Sequence, residues 1–144
     1  MKNVYDYLES YGIYTTTDSG QEIKRAKGIY SHTGIVIGRR RYDNVPMVFH
    51  NHPNSGPSIV TLNEFEAGYK ASYTNKPSDN WQTVLLRSFR QVESNDSYRL
   101  MDYNCQDASN ISRTGRAASH GRDATVTSLL GLALVLLLAG GSQR

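Results

Sequence analysis

Tyr30-Ser31-His32-Thr33-Gly34-Ile35-Val36-Ile37-Gly38, then the polar run Arg39-Arg40-Arg41-Tyr42-Asp43-Asn44, then Val45-Pro46-Met47-Val48-Phe49-His50, is the stretch whose reading decides the fold. Ile35, Val36 and Ile37 are β-branched and glycines bound the run, so residues 30–38 predict a strand. The polar run predicts a turn, with a solvated basic tip or a contact to anionic headgroups as its two readings. Residues 45–50 predict the partner strand, in which Pro46 is tolerated only near the start. His32 then stands at the head of one strand and His50 at the end of the next.

Upstream, Val4, Leu8 and Tyr11 recur at helical spacing and Gly12 can end that helix. Asp18-Ser19-Gly20 predicts a turn, and residues 21–23 a short strand. Downstream, two prolines and a glycine predict a loop over residues 51–58. Thr61 can cap a helix over residues 61–71, with Glu64 three positions on and Leu62, Phe65 and Tyr69 along one face. Residues 81–92 are apolar enough to predict another strand, Ser94-Asn95-Asp96 a turn, and residues 105–111 a helix that starts at Cys105. Trp81 and Phe89 read as core.

The chain has 144 residues, enough for one domain and not two, since chains divide only well above this size. Ten tyrosines and three phenylalanines supply a small core of half-polar faces. Sixteen Lys and Arg against thirteen Asp and Glu leave a net charge of +3, too weak to point to nucleic acid as a partner. Cys105 stands alone, which excludes an internal disulfide, a thiolate zinc cluster and a paired redox motif. Residues 1–10 hold Asp6 and Glu9 and no apolar run, so a cytoplasmic location is expected rather than secretion. Residues 126–141 form an apolar tail. It is short for a bilayer span of ~20 residues, and reads either as a membrane anchor or as a greasy helix docked on protein. Arg113, Arg116 and Arg122 precede it and suit anionic headgroups, with ordinary solvated surface as the other reading.

Cys105, His32 and His50 are the candidate catalytic set. A thiol needs a base to attack at neutral pH, and an imidazole together with a helix N-terminus lowers its pKa. In that reading Cys105 is the nucleophile, His32 the general base and later acid, and His50 the group that holds His32 in the useful tautomer. The bland reading stays beside it: a single cysteine is often a small buried hydrophobe, and strand-end histidines are often structural.

The run from Gly28 to Gly38 with Ser31-His32-Thr33-Gly34 inside it, then Val48-Phe49-His50-Asn51, then Asn104-Cys105-Gln106, resembles the lecithin:retinol acyltransferase-like family. Gly20-Gln21-Glu22-Ile23, residues 61–68 and Thr114-Gly115-Arg116-Ala117 extend the similarity over residues 18–118. The resemblance implies an α+β, circularly permuted papain-like (NlpC-like) domain, with a small antiparallel sheet packed on helices and histidine preceding cysteine. Residues 1–17 precede this domain as an N-terminal segment. It also implies that Cys105 takes an acyl group from phospholipid as a thioester, with His32 as base and His50 as third member, at a membrane surface and without a cofactor. The chain departs from the family's Asn-Cys-Glu-His-Phe pattern at Gln106-Asp107-Ala108.

Two alternatives stand against phospholipid chemistry: a cysteine amidase or peptidase acting on peptide or cell-wall substrates, and a non-catalytic membrane-associated binding module. His50-Asn51-His52-Pro53 also resembles the paired histidines of zinc-dependent JAMM-type peptidases. Asn63 occupies the place of the aspartate in that pattern, with Glu64 one residue later, so no metal is expected. His52 reads instead as a loop residue near the mouth of the site.

Overall fold

The computed structural model describes residues 1–94 and 103–117. They form an α+β unit in the order α1 (Val4–Tyr11), β1 (Ile13–Tyr14), β2 (Glu22–Lys27), β3 (Tyr30–Arg40), β4 (Pro46–His52), β5 (Gly56–Thr61), α2 (Leu62–Glu66), β6 (Ser72–Tyr73), α3 (Trp81–Ser94) and α4 (Cys105–Thr114). The sheet is antiparallel and open, in the order β5-β4-β3-β2-β6, and β1 pairs with the far end of β3.

β3 lies inside the sheet and is buried on both faces. Side chains alternate along a strand, so Ile35 and Ile37 point to one layer and Val36 to the other. The first layer joins Ile35, Ile37, Met47 and Phe49 to Val84, Leu85 and Phe89 of α3 and Ala108 of α4. The second joins Ile23, Val36 and Val48 to Phe65 of α2. Each such side chain taken out of water contributes roughly 1.5–3 kcal/mol. Val4, Tyr7, Leu8 and Ile13 belong to the first layer, so residues before 18 pack into the same core.

Residues 81–92 form a helix, not the strand their apolar content predicts. Trp81, Val84, Leu85, Ser88, Phe89 and Val92 recur at three- and four-residue intervals, which builds one helical stripe. Asn80 caps it by accepting the Thr83 N–H at 2.9 Å. Residues 51–58 are not all loop either: β4 runs on to His52 and β5 starts at Gly56. Pro57 fits because β5 is an edge strand, where a missing N–H costs no internal ladder bond. The helix capped by Thr61 stops at Glu66 rather than 71, because Ala67 and Gly68 both take left-handed backbone, φ 48° and 94°. β2 is longer than residues 21–23, and the two-residue strands β1 and β6 carry no readable period. The turn at residues 94–96 and the tail at 126–141 lie outside the described residues, apart from Ser94, which ends α3. Among the described residues no helix is long and apolar enough to cross a membrane.

α3 and α4 meet through polar groups as well as apolar ones. Gln91 donates to the Ala108 carbonyl at 3.1 Å and to the Ser112 hydroxyl at 2.9 Å, and accepts from the Tyr103 hydroxyl at 2.8 Å. Farther along α4, Arg113 lies 3.6 Å from the Glu22 carboxylate and donates to the Pro77 carbonyl at 2.6 Å. Arg113 and Glu22 are both buried, so this arginine serves the interior and not a lipid headgroup, contrary to the sequence expectation. Arg113→Ala leaves Glu22 buried beside only the more distant Lys76, and should lower unfolding free energy by about 3–5 kcal/mol in urea titration. The exposed Lys70→Ala should change it by no more than about 0.5 kcal/mol, and equal effects would refute the assignment.

Candidate active site

His32 and His50 come together as the strand ends predict. His32 Nε2 and His50 Nδ1 are 2.9 Å apart, and both side chains are buried. β3 and β4 set this contact: Gly34 pairs with His50, so His32 is a diagonal neighbour on the same face. Phe65 lies against His32 with ring centroids 5.1 Å apart and planes at 27°. That approach requires Gly34, since a Cβ there would stand 2.7 Å from the Phe65 ring and 2.7 Å from the Phe49 carbonyl oxygen. Arg25, opposite His32 on β2, donates to the Phe65 carbonyl at 3.0 Å and so ties α2 down over the pair. His52 ends β4 rather than sitting in a loop, and its ring centroid is 5.8 Å from His32 and 5.6 Å from His50.

Cys105 opens α4, as predicted. Asn104 is the cap, accepting the Gln106 and Asp107 N–H groups at 2.9 and 3.0 Å, while Asp107 accepts the Asn104 N–H at 3.2 Å. α4 lies on the other face of the sheet from the imidazoles. Thr33 on that face donates to the Cys105 carbonyl at 3.1 Å and accepts from Ser109 at 2.9 Å. Asn51, also on that face, donates to the Tyr103 carbonyl at 2.9 Å. The Cys105 sulfur meets the β3 backbone one residue before His32, 3.9 Å from the Ser31 carbonyl oxygen. Among the described residues no hydrogen bond joins the thiol to either imidazole. Three candidate residues thus share one end of the sheet, with two of them in direct contact.

Burial dominates the electrostatics. Desolvation, then the charges of His50, Arg25 and Lys27, pushes His32 down to about 2. Desolvation, then His52, pushes His50 down to about 4. Both imidazoles are therefore neutral at pH 7, and one donates to the other. For His32 to act as a base it must donate from Nε2 and keep its lone pair on Nδ1. Among the described residues that buried Nδ1 has no hydrogen-bond partner, and neither has His50 Nε2. Burial also pushes the Cys105 thiol up, against the opposing pull of the Thr33 backbone and the Lys27 ammonium. The resting groups are a neutral imidazole pair on one face of the sheet and a neutral thiol on the other, at the same end of β3. Of the first N–H groups of α4, those of Gln106 and Asp107 are taken by the cap, whereas the cap does not take that of Cys105.

Phe65, Gly34, Thr33 and Arg25 were not singled out from sequence. Strand alternation alone could have put Thr33 and Asn51 on the face opposite the histidines, but nothing local marks Phe65 as the ring that covers them. A groove of about 230 Å³ opens on the Phe65 side of the sheet between Ile23, Val36, Val48 and Leu62, and no candidate residue lines it. Among the described residues no three His, Cys, Asp or Glu side chains gather as a metal site. No family model matches the chain, and no curated protein matches its sequence.

The imidazole pair makes acid sensitivity predictable. The unfolded chain protonates these histidines near pH 6.5, the folded chain only near or below about 4, so the unfolded state binds more protons between those values. Stability is complete above pH 6.5 and falls as pH drops toward 4, by about 1–2 kcal/mol per imidazole at pH 5. Urea midpoints at pH 7 and 5 test this: the drop should shrink in His50→Gln, and a wild-type midpoint unchanged by pH would rule it out.

Proposed function

We propose that this chain is a thiol-dependent acyltransferase or phospholipase with a permuted papain-like order of catalytic residues, similar to the lecithin:retinol acyltransferase-like family, and that Cys105 carries the acyl group. The observation that supports the reading most is the buried 2.9 Å contact between His32 Nε2 and His50 Nδ1, which leaves His32 Nδ1 without a partner among the described residues, at the same end of the sheet as Cys105. Two imidazoles taken out of water with only one bond between them are costly to maintain for structure alone.

In the first step the thiol, which at rest packs with α4 on the face opposite the imidazoles, has to come round the end of β3 to His32 Nδ1; its proton then passes to that nitrogen and the sulfur attacks the ester carbonyl carbon of a phospholipid. The oxyanion is met by the Cys105 N–H. The carbon–oxygen bond then breaks, His32 returns the proton to the departing alkoxide, and a lysophospholipid leaves. Water, an amine or an alcohol, deprotonated by His32, then attacks the thioester and releases the thiol. His50 accepts from His32 Nε2–H throughout and fixes the tautomer. Lys27 favours the thiolate electrostatically, and no cofactor or metal is required. Apolar residues 126–141 suit a membrane-associated location.

A second reading draws on one observation, the burial of the thiol, which fits a binding module in which Cys105 and the histidines are structural. An amidase or peptidase would use the same three residues on a different carbonyl.

Intact-protein mass spectrometry after incubation with mixed phospholipids separates these readings. An acyl-sized mass gain is expected in wild type and not in Cys105→Ala, and His32→Ala should slow its appearance by about 100-fold or more. A thiol that reacts with iodoacetamide yet gains no acyl mass would move the activity to amide substrates. A thiol inert until denatured would leave the binding module.

A further inference from the structure

The turn between β2 and β3, at the Cys105 end of the sheet, has no part in the acyl-transfer chemistry. Lys27 pairs with Tyr30, so Gly28 and Ile29 are the two residues of a tight hairpin turn. Gly28 takes φ 62°, as the first turn position of such hairpins demands. The next two positions hold large apolar side chains that no described residue covers: Ile29 is 90% exposed and Tyr30 70%. Isolated exposed aliphatics are ordinary, but an isoleucine and a tyrosine side by side at a protruding tip form an apolar point with a polar rim. Residues 24–31 carry Lys24, Arg25 and Lys27 and no acid. Arg25 is held inside by Phe65, which leaves the two lysines for an outside partner. Lys27 also bears on the charge of His32, His52 and Cys105, so the tip and the reactive groups share one electrostatic neighbourhood.

We propose that this hairpin tip is a membrane-docking surface, with Ile29 and Tyr30 seated in the interfacial layer of an anionic phospholipid bilayer and Lys27 and Lys24 meeting its phosphates. The choice of lipid as partner rests on the acyl-transfer reading. Aliphatic and phenolic side chains suit the boundary between headgroup and acyl chain, and each lysine near an anionic leaflet adds attraction that salt weakens. Ser31 follows the tip directly, and its carbonyl touches the Cys105 sulfur. Docking by the tip would therefore bring the nucleophile to the lipid rather than leave lipid to find it in solution.

The test uses the full chain with phosphatidylcholine–phosphatidylserine vesicles at about 2:1, the anionic content that the lysines require. Emission from the indole introduced by Ile29→Trp, taken as the difference from the parent chain, should shift to the blue and be quenched by brominated lipid. Ile29→Ser/Tyr30→Ser should bind these vesicles at least about tenfold more weakly. Tyr42→Ser, at the exposed turn on the opposite end of the sheet, should bind as wild type does. An indole that brominated lipid leaves unquenched overturns the proposal, even if another segment holds the chain on the vesicle, and reassigns the tip to a protein partner. Wild-type affinity in the double variant overturns it as well.

Cys105 acylation by monomeric short-chain phosphatidylcholine keeps the two readings apart. The double variant should be acylated there at the wild-type rate and slowed on vesicles. Wild type that gains no acyl mass from either substrate would sink the acyl-transfer reading, while quenching still decides whether the tip enters lipid.

Discussion

β3 is covered on both faces, and because side chains alternate along a strand, each successive residue must satisfy a different layer. Thr33, Ile35 and Ile37 answer to the helices α3 and α4; His32, Gly34 and Val36 answer to Phe65 and its neighbours. Gly34 has no side chain because the ring of Phe65 needs the space. A slip of one residue in this strand would exchange the two sets, sending the imidazole into the aliphatic layer and the isoleucines against Phe65. The position of the histidine pair is thus set by the same register that builds the core.

Around that register the polar groups do different work on the two faces. On the helix side, Gln91, Tyr103, Ser88 and Ser112 satisfy one another, so the contact between α3 and α4 is directional and not merely greasy. On the other side, among the described residues, the imidazoles make one bond and leave a nitrogen each without a partner. Arg25 and Lys27 add positive charge that raises the cost of an imidazolium, and Lys27 also lowers that of a thiolate. Hydrogen bonds are plentiful where α4 is held and sparse at the imidazoles.

Much of this was legible in residues 30–50, where β-branched runs, glycines and a polar turn mark two strands and carry both histidines. The helix from Cys105 was legible too, because Asn104 and Asp107 form its capping box locally. α3 was not, since Ser88 and Gln91 occupy buried places in its stripe and conceal the helical period behind an apolar average. β5 was hidden by Pro57, which argues against a strand only if the strand is internal. Arg113 read as a surface residue because its partner, Glu22, lies on β2 far along the chain. Phe65 over His32 is likewise a product of tertiary packing that no local pattern announces.

The burial of Cys105 carries a redox consequence. A thiolate attacks the peroxides and disulfides that can reach it, and oxidation to sulfenic acid follows thiolate character and access. Cys105 at rest is protonated and almost wholly covered, with its sulfur against the Ser31 carbonyl. With no second cysteine in the chain, an internal disulfide could not shelter it. Its protection from oxidants is therefore steric and electrostatic, and it lasts for as long as the sulfur stays shut in against β3.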